Sequence, residues 1–298
     1  MLQKLASFAG IQGPVVTIVM DGYGIPKSDA GSAIAAARKP TLDKLFANYP
    51  NISLRAHGTA VGMPSDDDMG NSEVGHNAIG AGQVYSQGAS LVADAIASGT
   101  IWQGEAWQQI VAGAKAGTGS KPGTLHFIGL FSDGNVHSHI DHLKAMVLRA
   151  KQEGVKTVRV HILLDGRDVP ETSALEYVEP FEAFLAETNT DGFDAKIASG
   201  GGRMKITMDR YEANWSMVEQ GWATHVLGRG DQFASAAEAI KALRVKFPGT
   251  IDQDLPAFVI AKDGKPVGTV EDGDAVVFFN FRGDRAIEIS LAFEQADF

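Results

Sequence analysis

The sequence predicts an α/β fold with a mainly parallel sheet, on three observations. Short apolar runs rich in β-branched residues recur along the chain, amphipathic helical patterns alternate with them, and each run ends at a small cluster of Gly, Asp, Ser or Arg. Such alternation describes βαβ units, whose strands are buried on both faces and so read as continuous apolar stretches. The 298 residues, at roughly 150 per domain, leave room for two domains or one large α/β unit.

Residues 15–20 are the first run and stop at Asp21-Gly22-Tyr23-Gly24, which predicts a buried strand with a carboxylate at its C-terminal end. Helical spacing follows over 41–46. Around 80–90, Gly80, Gly82 and Gly88 thin the apolar pattern and mark a domain boundary. A helix over 101–115 then precedes a strand over 125–131 that runs into Ser132-Asp133-Gly134. A helix over 142–152, with Asp141 as its N-cap, precedes a strand over 157–164 ending at Asp165-Gly166-Arg167-Asp168. A helix over 173–186, with Pro180 as a possible kink point, leads to a strand over 195–198. After it, Gly200-Gly201-Gly202-Arg203 reads as a flexible loop that lets backbone approach a small anion. Helices over 207–219 and 234–245, a strand over 275–281 ending at Arg282-Gly283-Asp284-Arg285, and a helix over 285–294 complete the pattern. In open α/β sheets ligands sit beyond the carboxyl ends of the strands, which is where these polar clusters fall.

Composition removes several function classes. Hydrophobic residues at 44% and charged residues at 21% describe a soluble globular chain, and the longest apolar run is too short to span a bilayer. Near the N-terminus Lys4 is followed by Gly10, Gly13 and Pro14 with no signal-peptide pattern, so a cytoplasmic protein without membrane partners is expected. Zero cysteines exclude disulfides, thiol catalysis and Cys-ligated metals, so a metal would need oxygen and nitrogen ligands. A formal charge of −10 argues against a nucleic-acid backbone binder. Against that background Arg167, Arg203, Arg210, Arg282 and Arg285, at strand ends or just after them, form a local exception.

The densest motif is Met69-Gly70-Asn71-Ser72-Glu73-Val74-Gly75-His76-Asn77. Ser72 reads either as an exposed nucleophile on a tight turn or as a helix N-cap with Glu73 in the first turn. Its glycines do not fit the Gly-x-Ser-x-Gly elbow. A serine hydroxyl needs a base or a metal to react, and Asp21 is the candidate partner through a shared metal. His137-Ser138-His139 has the His-x-His spacing of a metal site such as a barrel hydrolase uses; the competing reading puts Asp141 at a cap and His142 in the first helical turn. His57, His126, His161 and His225 show no partner in the sequence and read as structural.

Five ordered segments, at 21–24, 69–76, 132–139, 165–168 and 282–285, together resemble the cofactor-independent (2,3-bisphosphoglycerate-independent) phosphoglycerate mutases. The stretch 200–203 with 208–210 resembles the plant and trypanosomatid variant. The resemblance implies that residues 1–87 are the first segment of a metal-binding phosphatase domain of the alkaline phosphatase superfamily, and that 88–298 are an inserted, substrate-binding phosphotransferase domain. It implies a further phosphatase segment after residue 298, carrying most ligands of two divalent metals and a lysine. Manganese is the expected ion, with magnesium or cobalt as substitutes. The implied activity is interconversion of 3-phosphoglycerate and 2-phosphoglycerate, in glycolysis and gluconeogenesis, through a phosphoserine at Ser72.

Carried onto this chain, the resemblance makes Asp21 and Ser72 ligands of one metal. His137, Arg167, Asp168, Arg203, Arg210, Arg282 and Arg285 would line the substrate, and arginine forks suit a molecule with one carboxylate and one phosphate. Asp168, kept ionised beside Arg167, would exchange protons with the glycerate hydroxyls. A monomer acting on a small molecule is expected. Two rival readings use the same residues: another metal-dependent phosphomutase or phosphatase of the superfamily, or a chain that binds phosphoglycerate without turning it over.

Overall fold

The computed structural model describes residues 6–20, 22–25, 27–86 and 88–296. The chain divides into two compact units, 1–55 and 56–298. Among the described residues no helix is long and apolar enough to cross a membrane.

The described part of the first unit holds two short helices. In α1 (Ala33–Ala36) the Ser32 hydroxyl accepts from the Ala35 N–H at 3.1 Å, and α2 (Pro40–Asn48) opens on Pro40, whose fixed φ and missing N–H suit a first helical position. The strand predicted over 15–20 does not form. Val15, Val16 and Ile18 are at least 75% exposed. A strand needs a neighbour to take its backbone N–H and C=O groups, and none stands among the described residues of this unit. Asp21 lies outside the described residues.

The second unit opens with α3 (Ser72–Ala81), α4 (Gly88–Ser98) and α5 (Glu105–Ala116). Then follow β1 (Leu125–Phe131), α6 (Ile140–Gln152), β2 (Thr157–Leu164), α7 (Ala174–Thr188), β3 (Asp194–Gly202), α8 (Trp215–His225), β4 (Asp231–Phe233) and α9 (Ala236–Lys246). The unit closes with β5 (Phe258–Lys262), β6 (Lys265–Pro266), β7 (Ala275–Phe278) and α10 (Ile287–Glu294). The main sheet has the order β4-β5-β3-β2-β1-β7, with β6 against β5. All of its pairings are parallel except β3 with β5 and β5 with β6, which are antiparallel. Its mainly parallel character is the one predicted.

Both faces of the sheet are covered, which explains the continuous apolar runs of β1 and β2. On one face Leu125, Phe127, Val160, Ile162 and Ile197 pack with Trp107 of α5, Leu143 of α6, Phe181 of α7 and Ile240 of α9. On the other, Leu130 and Leu163 meet Ile206 and Met208, while Val218 of α8 packs with Ile289 of α10. Helix α7 runs through Pro180 without a break.

Three local expectations are corrected. Gly200–Gly202 are not a flexible loop: β3 extends through them, and they are glycines because the sheet is crowded there. A Cβ on Gly200 would lie 2.5 Å from the Phe258 ring, and one on Gly202 would lie 2.2 Å from the Gln253 carbonyl oxygen. The helix predicted from 207 begins only at Trp215. Thr207, Tyr211 and Glu212 have positive φ, and Asp209 takes the Asn214 N–H through its side chain, so the intervening backbone cannot build helical hydrogen bonds. The N-cap of α6 is His139, whose Nδ1 accepts from the Asp141 N–H at 3.1 Å, and Asp141 sits in the first turn instead.

Candidate functional site

Strands β3, β2, β1 and β7 are consecutive neighbours and mutually parallel, so their C-terminal ends share one edge. The segments after them therefore converge: Arg203 after β3, 165–168 after β2, 132–139 after β1 and 280–285 after β7. This juxtaposition follows from topology alone.

Asp165, 2% exposed, is the hub. Its Oδ2 accepts from the Ser132 hydroxyl at 2.6 Å, and its Oδ1 accepts from the N–H groups of Arg167 and Asp168 at 3.2 and 3.0 Å. The same Oδ1 accepts from Arg203 Nη1 at 2.9 Å, and Arg203 Nη1 also donates to Asp168. The guanidinium of Arg203 is thus buried between two carboxylates, with its Nε left unpartnered. Desolvation of such a set is costly, and the bonds to both carboxylates offset it only while all members are present. Gly134 lets the Asp133 turn approach this set, since a Cβ there would press on Asp168 at 3.1 Å.

Asp284 is a second centre of negative charge. It accepts from Arg210 Nη1 at 3.2 Å, pairs with Arg282 Nη2 at 3.1 Å and lies 3.6 Å from His137 Nδ1. Arg285 Nη1 donates to the Met208 carbonyl at 2.6 Å. His137 is buried, and burial together with the positive field of Arg203, Arg282, Arg285 and Arg210 pushes its pKa down to about 2. Burial, then Arg210 and Arg203, brings Arg285 down to about 10 against the pull of Asp284. Four guanidinium groups therefore act on one neutral imidazole. A cation would be repelled there, which argues against a metal held by His137 and His139, and the structure instead uses His139 as a helix cap.

Ser72 is the first residue of α3 and exposed; the cap is Asn71, whose Oδ1 accepts from the Val74 N–H at 3.1 Å. Glu73 beside it lies 3.5 Å from Arg282 Nε, which brings the serine within one residue of the arginine cluster. The cleft between them, lined by Asn71, Glu73, Val136 and Arg282, is about 20 Å³, enough for a water and too small for a three-carbon acid.

Of the predicted site residues, His137, Asp168, Arg203, Arg210, Arg282 and Arg285 are brought together, Ser72 stands at their edge, and Asp21 is outside the described residues. Arg167 has an exposed side chain whose charge acts on Arg285, and the carboxylate of Asp168 is held by Arg203 instead of by Arg167. Sequence reasoning gave no role to Asp165, Ser132 or Asp284, and read Glu73 only as a residue of a first helical turn, where it stands. For Asp165 a signal existed, since it stands immediately past β2 as Asp21 stands past the run at 15–20.

A mainly parallel sheet whose carboxyl edge gathers arginines around a neutral histidine defines an α/β protein with a candidate site of strongly cationic chemistry at that edge. The family described as BPG-independent PGAM N-terminus matches residues 92–298, and the chain belongs to that family. A protein of Leptospira interrogans named "Probable 2,3-bisphosphoglycerate-independent phosphoglycerate mutase" is 58% identical over 95% of this chain and 52% of its own length. The 2,3-bisphosphoglycerate-independent phosphoglycerate mutase of Trypanosoma brucei brucei is 52% identical over 95% of this chain and 51% of its own, and that of Zea mays is 50% identical over 95% and 50%. The fold matches a crystal structure of Leishmania mexicana phosphoglycerate mutase at low cobalt concentration, with a TM-score of 0.88 and 50% identity over 94% of this chain and 51% of that one. The chain spans about half the length of the relatives it matches.

Proposed function

We propose that the sheet edge holds 2- and 3-phosphoglycerate during their interconversion through a phosphoserine at Ser72, as part of a phosphoglycerate mutase. The observation that carries this reading is the convergence of Arg203, Arg210, Arg282 and Arg285 on His137. One phosphate and one carboxylate bring about three negative charges, and several guanidinium forks are the matching donors. Within the same reading, residues 1–87 belong to a metal-binding phosphatase segment and 88–298 to the inserted substrate-binding domain.

Phosphoryl transfer depends mostly on positioning and charge stabilisation. The Ser72 oxygen forms the new bond to phosphorus as the bond to the in-line glycerate oxygen breaks, and the proton that the Ser72 hydroxyl gives up passes through the Asp168 carboxylate to that departing oxygen. The arginines keep glycerate bound until its other hydroxyl recovers the phosphoryl group, its proton returning through Asp168 to the Ser72 oxygen. The first turn of α3 offers its N–H groups and dipole to phosphate on Ser72. The cleft beside Glu73 must widen before phosphorus can reach Ser72 Oγ.

Divalent metals, manganese foremost, belong to this reading of the whole protein. Among the described residues no three His, Asp or Glu side chains gather as a metal site requires, and Asp21 lies outside them, so the donors described here do not fit a metal centre and no step above runs through one. Calorimetric titration of the chain with 3-phosphoglycerate tests the proposal. Saturable binding that Arg210→Ala and Arg282→Ala each weaken by about tenfold or more is expected, with unphosphorylated glycerate binding far more weakly. Binding that is indifferent to both substitutions would refute it.

A further inference from the structure

Below the arginines a line of polar side chains crosses the interior of the sheet unit. Asp274 Oδ2 lies 3.2 Å from His126 Nε2, and His126 Nδ1 lies 2.9 Å from His161 Nε2. His161 Nδ1 is 2.7 Å from Ser199 Oγ, which is 2.7 Å from His225 Nδ1, and His225 Nε2 is 3.0 Å from Thr207 Oγ1. The three histidines, Ser199 and Thr207 are each at most 1% exposed. None of them has a part in the phosphoryl chemistry proposed above.

The protons on this line can be placed from one end. Burial opposes the charge of Asp274, but bonds from His126, Glu271 N–H and Thr124 N–H outweigh it and hold the carboxyl below its ordinary value. A carboxylate only accepts, so His126 Nε2 carries its proton. His126 Nδ1 then accepts from His161 Nε2–H, and His161 Nδ1 accepts from the Ser199 hydroxyl. Ser199 in turn accepts from His225 Nδ1–H, which leaves His225 Nε2 to accept from the Thr207 hydroxyl. Every link has one donor and one acceptor. This order takes all three imidazoles as neutral; burial lowers His161 and His225, His225 to about 3.

The far end is strained. Thr207 has φ +70°, a conformation costly for a β-branched residue, where glycine or asparagine would sit more easily. Neither would supply the hydroxyl that His225 accepts. The surroundings fit Thr207 closely: its N–H donates to the Met217 carbonyl at 2.9 Å, and a Cβ on Gly221 of α8 would lie 2.2 Å from its Oγ1. Thr207 stands between Arg203 and Arg210 in sequence and directly before Met208, whose carbonyl holds Arg285.

We propose that Thr207 is a positioning residue: the proton-ordered line from Asp274 to His225 fixes its hydroxyl, and its strained backbone sets the 203–210 turn so that Arg203, Arg210 and Arg285 meet one anion. The ligand in this statement rests on the phosphoglycerate reading above.

The test combines nitrogen NMR of the histidines and of Arg203 with calorimetric titration by 3-phosphoglycerate. The expected tautomers are Nε2–H for His126 and His161 and Nδ1–H for His225. Thr207→Val removes the hydroxyl at nearly constant shape. His225 is then expected to lose its single tautomer, the buried Arg203 Nε–H to exchange about tenfold faster, and 3-phosphoglycerate affinity to fall by about tenfold or more. Thr207→Ser restores all three to within about twofold. Ser199→Ala, which cuts the line at its middle, gives the same changes in smaller degree and serves if the valine variant does not fold. A wild-type His225 protonated on Nε2, or variants with unchanged Arg203 exchange and unchanged affinity, would overturn the inference. If even the wild type fails to bind 3-phosphoglycerate while tautomers and exchange behave as stated, the positioning role stands and the phosphoglycerate reading falls.

Discussion

Two apolar runs that each lead into an Asp-Gly pair have opposite fates in this molecule. Residues 125–131 become β1, completely buried between β2 and β7, whereas residues 15–20 form no strand and leave Val15, Val16 and Ile18 open to solvent. The difference is in the neighbours. In the sheet unit β1 pairs with β2 along its whole length and with β7 over 125–128, Asn280 Oδ1 takes the Leu130 N–H, and the side chains enter buried clusters on both faces; among the described residues of 1–55 there is no strand to pair with. An apolar run states a tendency, and pairing decides whether it is realised.

The comparison predicts a graded series of contrasts. The largest is in the runs themselves: Phe127→Ala should lower unfolding free energy by about 3–5 kcal/mol, while Ile18→Ala should stay within about 0.5 kcal/mol, both read from urea denaturation. Equal losses would mean that residues 15–20 are packed after all. Next come glycines. Gly202→Ala, meeting the Gln253 carbonyl, should destabilise by about 1–3 kcal/mol. Gly24→Ala, with nothing within 4 Å, should be neutral or slightly stabilising.

Acid comes third, because 1–55 contain no histidine and the sheet unit buries several. His137, His225 and His161 have depressed native pKa values, so above pH 6.5 neither state binds the proton and nothing is lost. Below pH 6.5 the unfolded chain takes up protons that the folded chain refuses. Stability should then fall by about 1.4 kcal/mol per pH unit for each such histidine. Urea titrations at pH 7.5 and 5.5 check the sign; greater stability at the lower pH would contradict it. The smallest contrast lies in helix caps. Asn71→Ala should cost about 1 kcal/mol, because α3 is tied to the sheet unit through buried Val74, whereas Ser32→Ala caps a helix with no buried residue and should leave unfolding unchanged.

The strands β1 and β2 were legible to the residue because burial on both faces makes their sequence uniformly apolar. The arginines were legible as a set because strand ends of a parallel sheet share an edge. What was not legible depended on distant backbone. Gly200–Gly202 look like a loop unless one knows that Phe258 and Gln253 press on them. The segment 207–214 has helical spacing, yet its carbonyls and N–H groups are taken by Arg285, Asp209 and Glu288. His126, His161 and His225 showed no partners because those partners are up to 148 residues away. Asp165 was hidden for a different reason: its ligand, Arg203, comes from the next strand and not from the adjacent Arg167.

Hydrogen exchange of the whole chain, followed with and without saturating 3-phosphoglycerate, examines the central claim most directly. Added protection is expected at 132–139, 165–168, 203–210 and 282–285 together, with little change over 15–20. Protection confined to other segments, or none at a ligand concentration that calorimetry shows to be saturating, would contradict the assignment of the sheet edge as the phosphoglycerate site.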